Sequence, residues 1–350
     1  MKSETVNYLI VGQGIAGSVL ALSLLKRGKK ILVIDEPSLS SCSKVAAGLY
    51  NPIVFKRLSK SWKADELVPA ADKFYNEAET LFKKKIHYKK NIVKLFVNEE
   101  EKKLWETKKQ KAEGKYLSEI FNGSDLPAQV MENKGYAEVT GSGWVDVKIF
   151  LDETRNYLSK NNLLKEEIFD HSLIKEGASH REYKSIQAKK IIFCEGYKAT
   201  ENPYFKYLSF KPAKGEVLTI RIKNFTIEKA LNKGVFILPV GNNIFRVGAT
   251  YQWDDLNDIT TEKAKEELIE KLKKVIDAPF EIIEHKAGVR PATKDRRPFI
   301  GFHPQHSNIG IFNGMGTKAV MLAPYLAGNL IDHIENDIAL DTEADIKRVV

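Results

Sequence analysis

The amino-acid sequence predicts a mixed α/β fold, α+β overall, in which a parallel sheet flanked by helices is interwoven with a separate antiparallel sheet. Three observations predict it. A strand, a glycine turn, a helix and a second strand succeed one another within residues 7–35; two alternating apolar runs flank Gly241-Asn242-Asn243; and the last third of the chain returns to strand–turn–helix texture. At 350 residues the chain exceeds the usual single-domain size, so two intimately joined domains are expected.

Asn7-Tyr8-Leu9-Ile10-Val11 is a short apolar run of strand type, followed at once by Gly12, Gly14 and Gly17. From Ile15 to Arg27 the residues Ile15, Val19, Leu22 and Leu25 recur at helical intervals, and Gly28 supplies a C-terminal stop. Residues 30–34 form a second buried strand ending at Asp35, which makes the unit the right-handed strand–helix–strand crossover of a parallel sheet. Residues 63–108 are rich in Lys and Glu with helical periodicity. Residues 215–222 alternate, with Leu218, Ile220 and Ile222 on one side, and residues 235–240 and 244–249 read as a hairpin; these strands make the antiparallel sheet. Residues 260–276 are an amphipathic helix with Ala264, Leu268, Leu272 and Ile276 on one face. Finally, residues 309–312 are apolar, 313–317 form a turn, and 318–334 are helical.

Gly12-Gln13-Gly14-Ile15-Ala16-Gly17 matches GxGxxG in the context that gives the pattern meaning, between a strand and a helix. Gly12 permits the tight turn, Gly14 lets backbone approach a diphosphate, and Gly17 lets helix and strand pack closely. Asp35, with Glu36 beside it, stands where a carboxylate accepts hydrogen bonds from an adenosine ribose. The diphosphate would sit at the helix N-terminus, where free amides and the dipole favour anions. Taken alone the glycines also suit a plain strand–helix turn; with strand, helix and acid in register they predict a Rossmann-like dinucleotide domain.

Composition narrows the class. With 43% apolar residues the chain can build a sizeable core. Cys42 and Cys194 are too few for a disulfide framework and stand in no metal-ligand spacing, which points to a reducing, cytoplasmic compartment and to no metal. The apolar stretch from Val6 to Leu25 is broken by Asn7, Gln13 and three glycines and has no cleavage-site pattern, so no membrane span is expected. The formal charge of +9 suits nucleic-acid contact, an acidic substrate or a solvated lysine surface. Lysines interleaved with acids, as from Glu262 to Lys274, favour the last.

Further segments carry a resemblance. Ala47-Gly48-Leu49-Tyr50-Asn51-Pro52, Pro212-Ala213-Lys214-Gly215-Glu216, Ala287-Gly288-Val289-Arg290-Pro291-Ala292-Thr293-Lys294-Asp295 with Pro298-Phe299-Ile300-Gly301, and Leu322-Ala323-Pro324 together resemble the D-amino-acid-oxidase family of FAD enzymes, most closely its glycine oxidase and sarcosine oxidase members. The resemblance covers nearly the whole chain. It implies a glutathione-reductase-type FAD-binding domain over 1–75, 140–200 and 286–350, and a substrate domain over 76–139 and 201–285. It also implies that flavin is held by Gly12, Gly14, Ile15, Ala16 and Gly17, by Asp35 and Glu36, by the loop containing Ser43, Ala47, Gly48 and Asn51, by Cys194-Glu195-Gly196, and by Gly314-Met315-Gly316-Thr317-Lys318. Arg290 matches the family's substrate-carboxylate arginine; an ion pair with Asp295 is the structural alternative. The implied reaction passes a hydride from the substrate α carbon to flavin N5, giving an imine, with oxygen or another acceptor taking the electrons.

Departures from the family pattern bear on the pocket. Phe236 falls where relatives often place a substrate-facing tyrosine, Met315 where a histidine is common, and Lys318 and Ala319 replace other frequent residues. No cysteine occurs near the C-terminus, so noncovalent FAD is expected. Tyr251 and Trp253 would line a pocket or merely pack, and Tyr50 and Arg57 lie near the flavin loop. The resemblance extends to the FAD domain that removes a carboxymethyl group from a modified tRNA wobble uridine. Lys56, Arg57, Lys60, Lys63, Lys83, Lys84, Lys85, Lys89 and Lys90, with Trp62, Tyr75 and Tyr88, would serve such a substrate as a basic, aromatic surface. A flavin-binding protein without amine chemistry and a dehydrogenase passing electrons to a quinone or protein are the remaining alternatives.

Overall fold

The computed structural model describes residues 4–36, 41–131, 134–177 and 180–349. The chain forms two compact units, residues 1–44, 147–213 and 289–350, and residues 45–146 and 214–288. The polypeptide passes between them at 44/45, 146/147, 213/214 and 288/289.

The first unit is built on an eight-stranded sheet. Its parallel strands run in the order Leu164–Glu166, Ile31–Asp35, Glu4–Val11, Ile186–Phe193 and His306–Asn313, while Arg181–Tyr183, Ile174–Glu176 and Phe299–His303 join antiparallel. The strand cores read as unbroken apolar runs because parallel strands are covered on both faces. Leu9, Val11, Leu32, Ile34, Ile191, Phe193, Ile309 and Ile311 share one buried cluster. Helix Ile15–Lys26 packs against helices Val147–Lys160 and Ala319–Asn336, which explains why its buried residues extend beyond one stripe, from Ile15 through Ser18 and Val19 to Leu24.

The second unit carries another eight-stranded sheet, in the order Phe280–Arg290, Ala213–Ile222, Ile244–Gly248, Phe236–Gly241, Leu231–Asn232, Ile92–Leu95, Tyr136–Val139 and Leu117–Phe121. The hairpin expected around Gly241 forms, with Asn242 and Asn243 both at positive φ. Leu218, Ile220, Phe245 and Val247 pack on Leu268 and Leu272 of helix Glu262–Lys273. The alternate residues Leu238 and Phe236 instead cluster with Ile92, Trp144, Ala230, Ala47 and Leu49.

Two expectations are refined. The helical period over 63–108 resolves into helices Ala64–Phe82 and Glu99–Lys109, separated by strands His87–Tyr88 and Ile92–Leu95. Lys83 ends the first helix in the left-handed conformation, and the Glu79 carboxylate accepts from the amides of Ile86 (2.9 Å) and His87 (2.7 Å), which turns the chain out of the helix. The helix expected from residue 260 begins at Glu262, because the Thr261 side chain caps the Ala264 amide at 3.2 Å. Among the described residues no helix is long and apolar enough to cross a membrane.

Candidate functional site

Four of the segments singled out in the sequence leave the carboxyl ends of neighbouring strands in the first unit. Val11 pairs with Ile34 and with Phe193, and Phe193 with Ile311. The turns that follow, Gly12–Gly17, Asp35-Glu36, Cys194–Gly196 and Asn313–Lys318, therefore share one edge of the sheet, where open α/β sheets accept ligands. The edge is cross-linked: Gly12 N donates to Ile34 O (2.8 Å), Cys194 N to Val11 O (2.7 Å) and Asn313 Nδ2 to Gly196 O (2.8 Å).

Backbone packing explains two of the fingerprint glycines. A β carbon on Gly12, at φ +100°, would lie 2.6 Å from Cys194 O, and one on Gly17 only 1.8 Å from Gly12 O. Gly14 is different, since among the described residues a β carbon there meets within 4 Å only the Ser43 side chain, with Oγ at 3.0 Å. The Ile15 amide donates to that same Oγ at 3.1 Å. Helix Ile15–Lys26 has no acid in its first turn and no side-chain cap from Gly14, so no carboxylate of its own offsets its positive end. At Gly14 the neighbour within reach of a β carbon is a hydroxyl rather than backbone, and a helix N-terminus of this kind favours anions.

Asp35 is doubly held: Oδ1 accepts from Gln13 N (2.8 Å) and Oδ2 from Arg155 Nη1 (2.8 Å). Glu36 pairs with Lys198. The Glu195 carboxylate is taken up by His171 Nε2 (2.8 Å) and Asn202 Nδ2 (2.7 Å), and burial pushes the Cys194 thiol well above its ordinary range. Burial likewise pushes the Cys42 thiol up to about 11, against the opposing charge of Arg290. Arg290 therefore acts on the turn that carries Ser43. Beyond it, Ala292 O accepts from Lys211 N (2.7 Å), and Pro291 O accepts from Gly316 N (3.3 Å), which docks the Gly314–Lys318 turn on the arginine's own segment. Met315 is buried, Thr317 is exposed, and Gly316–Lys318 is one 3-10 turn ahead of helix Ala319–Asn336. Burial brings the Lys318 ammonium down to about 8, reinforced by Arg297 and Arg296. Asp295, the alternative partner considered for Arg290, is engaged by Arg348 Nε (3.0 Å) and by the Arg297 amide (2.9 Å).

In the second unit, Ala47 packs in the cluster that contains Phe236 and Trp144. Gly48 O accepts from Val145 N (3.1 Å), and Asn51 uses its Oδ1 on Ile53 N (2.8 Å) and its carbonyl on Ser61 Oγ (3.1 Å). Phe236 lies over Gly248, where a β carbon would come within 2.9 Å of the ring. Tyr251 is apart from that cluster, 44% exposed, with its ring 4.9 Å from that of Trp253. The basic aromatic surface is smaller than the sequence suggests. Tyr75 is fully buried, a consequence of its place on the inner face of helix Ala64–Phe82, and Tyr88 stacks on Trp144 at 5.2 Å. Lys60, Lys85, Lys89 and Lys90 pair with Asp65, Glu79, Asp72 and Glu228.

Sequence reasoning missed Gln13 and Arg155. Gln13 occupies a variable position of the fingerprint, yet it is 6% exposed and donates from Nε2 to Ser18 Oγ (2.9 Å) and Leu151 O (3.1 Å). Nothing local to Arg155 marks it, since its partner Asp35 is 120 positions away.

The family model described as FAD dependent oxidoreductase matches residues 7–333. Glycine oxidase of Bacillus subtilis (strain 168) is 26% identical over 227 residues, 59% of this chain and 61% of that protein. The tRNA 5-methylaminomethyl-2-thiouridine biosynthesis bifunctional protein MnmC of Legionella pneumophila (strain Corby) is 25% identical over 326 residues, 84% of this chain but 45% of that protein. The chain thus matches less than two thirds of the length of either relative. Among solved structures, glycine oxidase from Geobacillus kaustophilus superposes with a TM-score of 0.82 over 97% of both chains at 20% identity, a likeness of fold.

Proposed function

The chain belongs to the FAD dependent oxidoreductase family, and from that premise we propose that it oxidises the carbon–nitrogen bond of a small amino acid or N-substituted glycine of the glycine, sarcosine or D-amino-acid kind. The observation that carries this reading is the placement of Arg290. Its charge acts on Cys42, next to the Ser43 hydroxyl bonded to the Gly12–Gly17 turn, and the segment after it holds the Gly314–Lys318 turn. A guanidinium beside the dinucleotide edge of the sheet is suited to grip a carboxylate at two points and so to orient the α carbon. FAD, bound noncovalently, would accept the hydride from that carbon at N5, leaving an imine for water to hydrolyse.

The chain's own part is binding and electrostatics. In this reading the first unit is the FAD-binding part: Gly14, Ile15, Ala16 and the helix N-terminus receive the diphosphate, Asp35 and Glu36 the ribose side, and Ser43, Gly196 and the Gly314–Lys318 turn the ring. Lys318 and the N-terminus of helix Ala319–Asn336 put positive potential on that turn, which favours negative charge developing there. Phe236 and Tyr251 are the candidate residues for selecting the amine; a phenyl at 236 offers no hydroxyl. The test is anaerobic bleaching of the purified flavoprotein by glycine, sarcosine, proline and D-amino acids, with modified tRNA in the same panel. Bleaching by an acidic amine is expected. A flavin that none of the amines reduces would overturn the reading.

A second reading, removal of a carboxymethyl group from a modified tRNA wobble uridine, is favoured by one observation. The tRNA-modifying relative aligns over more of this chain than the glycine oxidase does, 84% against 59%. That substrate is also a glycine-like secondary amine, so Arg290 would serve it unchanged. Reduction by modified tRNA alone would select this reading.

A further inference from the structure

Arg155 lies on helix Val147–Lys160, and its guanidinium is the centre of a closed network in the first unit. Nη1 donates to Asp35 Oδ2 (2.8 Å) and to Gln13 Oε1 (3.0 Å), while Nε donates to Glu166 Oε1 (2.9 Å). Gln13 closes the ring, since its amide donates to Asp35 Oδ1 and its Nε2 returns to Leu151 O on the arginine's own helix. Asp35 and Glu166 stand side by side on neighbouring parallel strands. Two carboxylates so placed repel each other unless a cation lies between them, and only a planar fork reaches both with directed bonds.

The network has a consequence for the ligand. An ionised carboxylate offers about four lone-pair sites; among the described residues one on each Asp35 oxygen is taken, so each oxygen keeps a site for a further donor. We propose that Arg155 is a positioning residue for the adenosine half of the dinucleotide. It locks Asp35 and Gln13 in the arrangement that presents the free carboxylate lone pairs to the ribose hydroxyls, and it offsets the charge of Asp35 beside the diphosphate. The proposal rests on the reading that the Gly12–Gly17 turn and Asp35 hold the adenine dinucleotide. It adds a residue whose effect is confined to the adenosine end.

The test compares FAD with FMN, which has the same ring and no adenosine, using equilibrium dialysis of the apoprotein followed by flavin absorbance. Arg155→Leu is expected to weaken FAD about tenfold, the scale of one charge-assisted hydrogen bond, and to leave FMN within about twofold. Arg155→Lys, which keeps the charge without the fork, is expected to fall between. Equal weakening of both flavins, or unchanged FAD affinity, would overturn the proposal. Thermal melting of each apoprotein is recorded alongside; if Arg155→Leu does not fold, the FAD-to-FMN ratio of a folded Arg155→Lys or Arg155→Gln decides in the same way. Asp35→Asn separates the two levels of argument. If that variant keeps full FAD affinity, the nucleotide reading itself fails, whereas if it loses FAD and Arg155→Leu does not, only the role of Arg155 is lost.

Discussion

Arg290 offers the most direct residue-level experiment, because a guanidinium distinguishes substrates by charge. Arg290→Leu is expected to raise KM about a hundredfold for amines that carry a carboxylate and much less for neutral amines, as steady-state kinetics would show; equal increases would remove its role. The fingerprint glycines separate folding from binding. Gly17→Val places a β carbon where Gly12 O already stands 1.8 Å away, so the apoprotein should melt markedly lower. Gly14→Ala meets within 4 Å, among the described residues, only the Ser43 side chain, so it should melt much closer to normal than Gly17→Val and yet retain less flavin. At Lys318 burial depresses the ammonium to about 8 from the ordinary 10.5. The folded state therefore pays for holding that charge at neutral pH, a penalty that fades as pH rises above about 8 and is gone above 10.5. Lys318→Met should raise the thermal midpoint at pH 7 by the equivalent of up to about 3 kcal/mol, and this gain should shrink at pH 10. The glycines were legible because close backbone approach leaves a local mark in sequence. Gln13 and Arg155 were not, because their meaning lies in partners on other elements.

Among the elements, the strand Ala213–Ile222 shows how buried polar groups organise a connection. Lys214 is fully buried and donates to Asp255 (2.7 Å) and Asn257 (2.9 Å), and Glu216, also fully buried, accepts from the amide and hydroxyl of Thr261 (both 2.9 Å). The segment leading into helix Glu262–Lys273 is thereby clasped to the strand. Lys214→Ala would leave those acceptors without their cation, and should lower stability in urea by about 3 kcal/mol. His285 Nε2 lies 2.8 Å from Glu216 Oε2, and burial holds this imidazole below its usual pKa despite the carboxylate. Since the folded state resists its protonation, its contribution is complete above about pH 6.5 and declines as pH falls below that value. Replacing His285 by Gln should flatten the acid side of the stability profile between pH 6.5 and 5; an unchanged slope would exclude it as the source. Element types were readable where the period was long and uniform, as in the first strand–helix–strand unit and the hairpin at Gly241. They were misjudged over 63–108, where the Glu79 carboxylate and a left-handed Lys83 break a pattern that composition alone continues.

For the molecule as a whole, ligand linkage gives a measurable expectation. If FAD sits, as proposed, on the sheet edge built from segments between Gly12 and Lys318, it should bind the folded chain alone, and a free concentration of 1,000 times Kd should stabilise it by about 4 kcal/mol. A thermal midpoint that does not respond to added FAD would contradict that assembly. The formal charge of +9 bears on the tRNA reading. Lys60, Lys85, Lys89 and Lys90 are already paired with acids, so any tRNA affinity should fall between 50 and 200 mM salt less steeply than the full set of basic residues would give, and an absence of binding at low salt would eliminate that substrate. By itself the sequence determined the parallel-sheet class, the glycine turn between strand and helix, and the family, because hydrophobic period, glycine spacing and motif order are properties of consecutive residues. Only the tertiary structure decided that Arg155 reaches Asp35 across 120 positions, that the charge of Arg290 falls on Cys42, and that Tyr75 is buried rather than displayed. Proximity and burial are set by how distant segments pack, and that information is carried by no single stretch of chain.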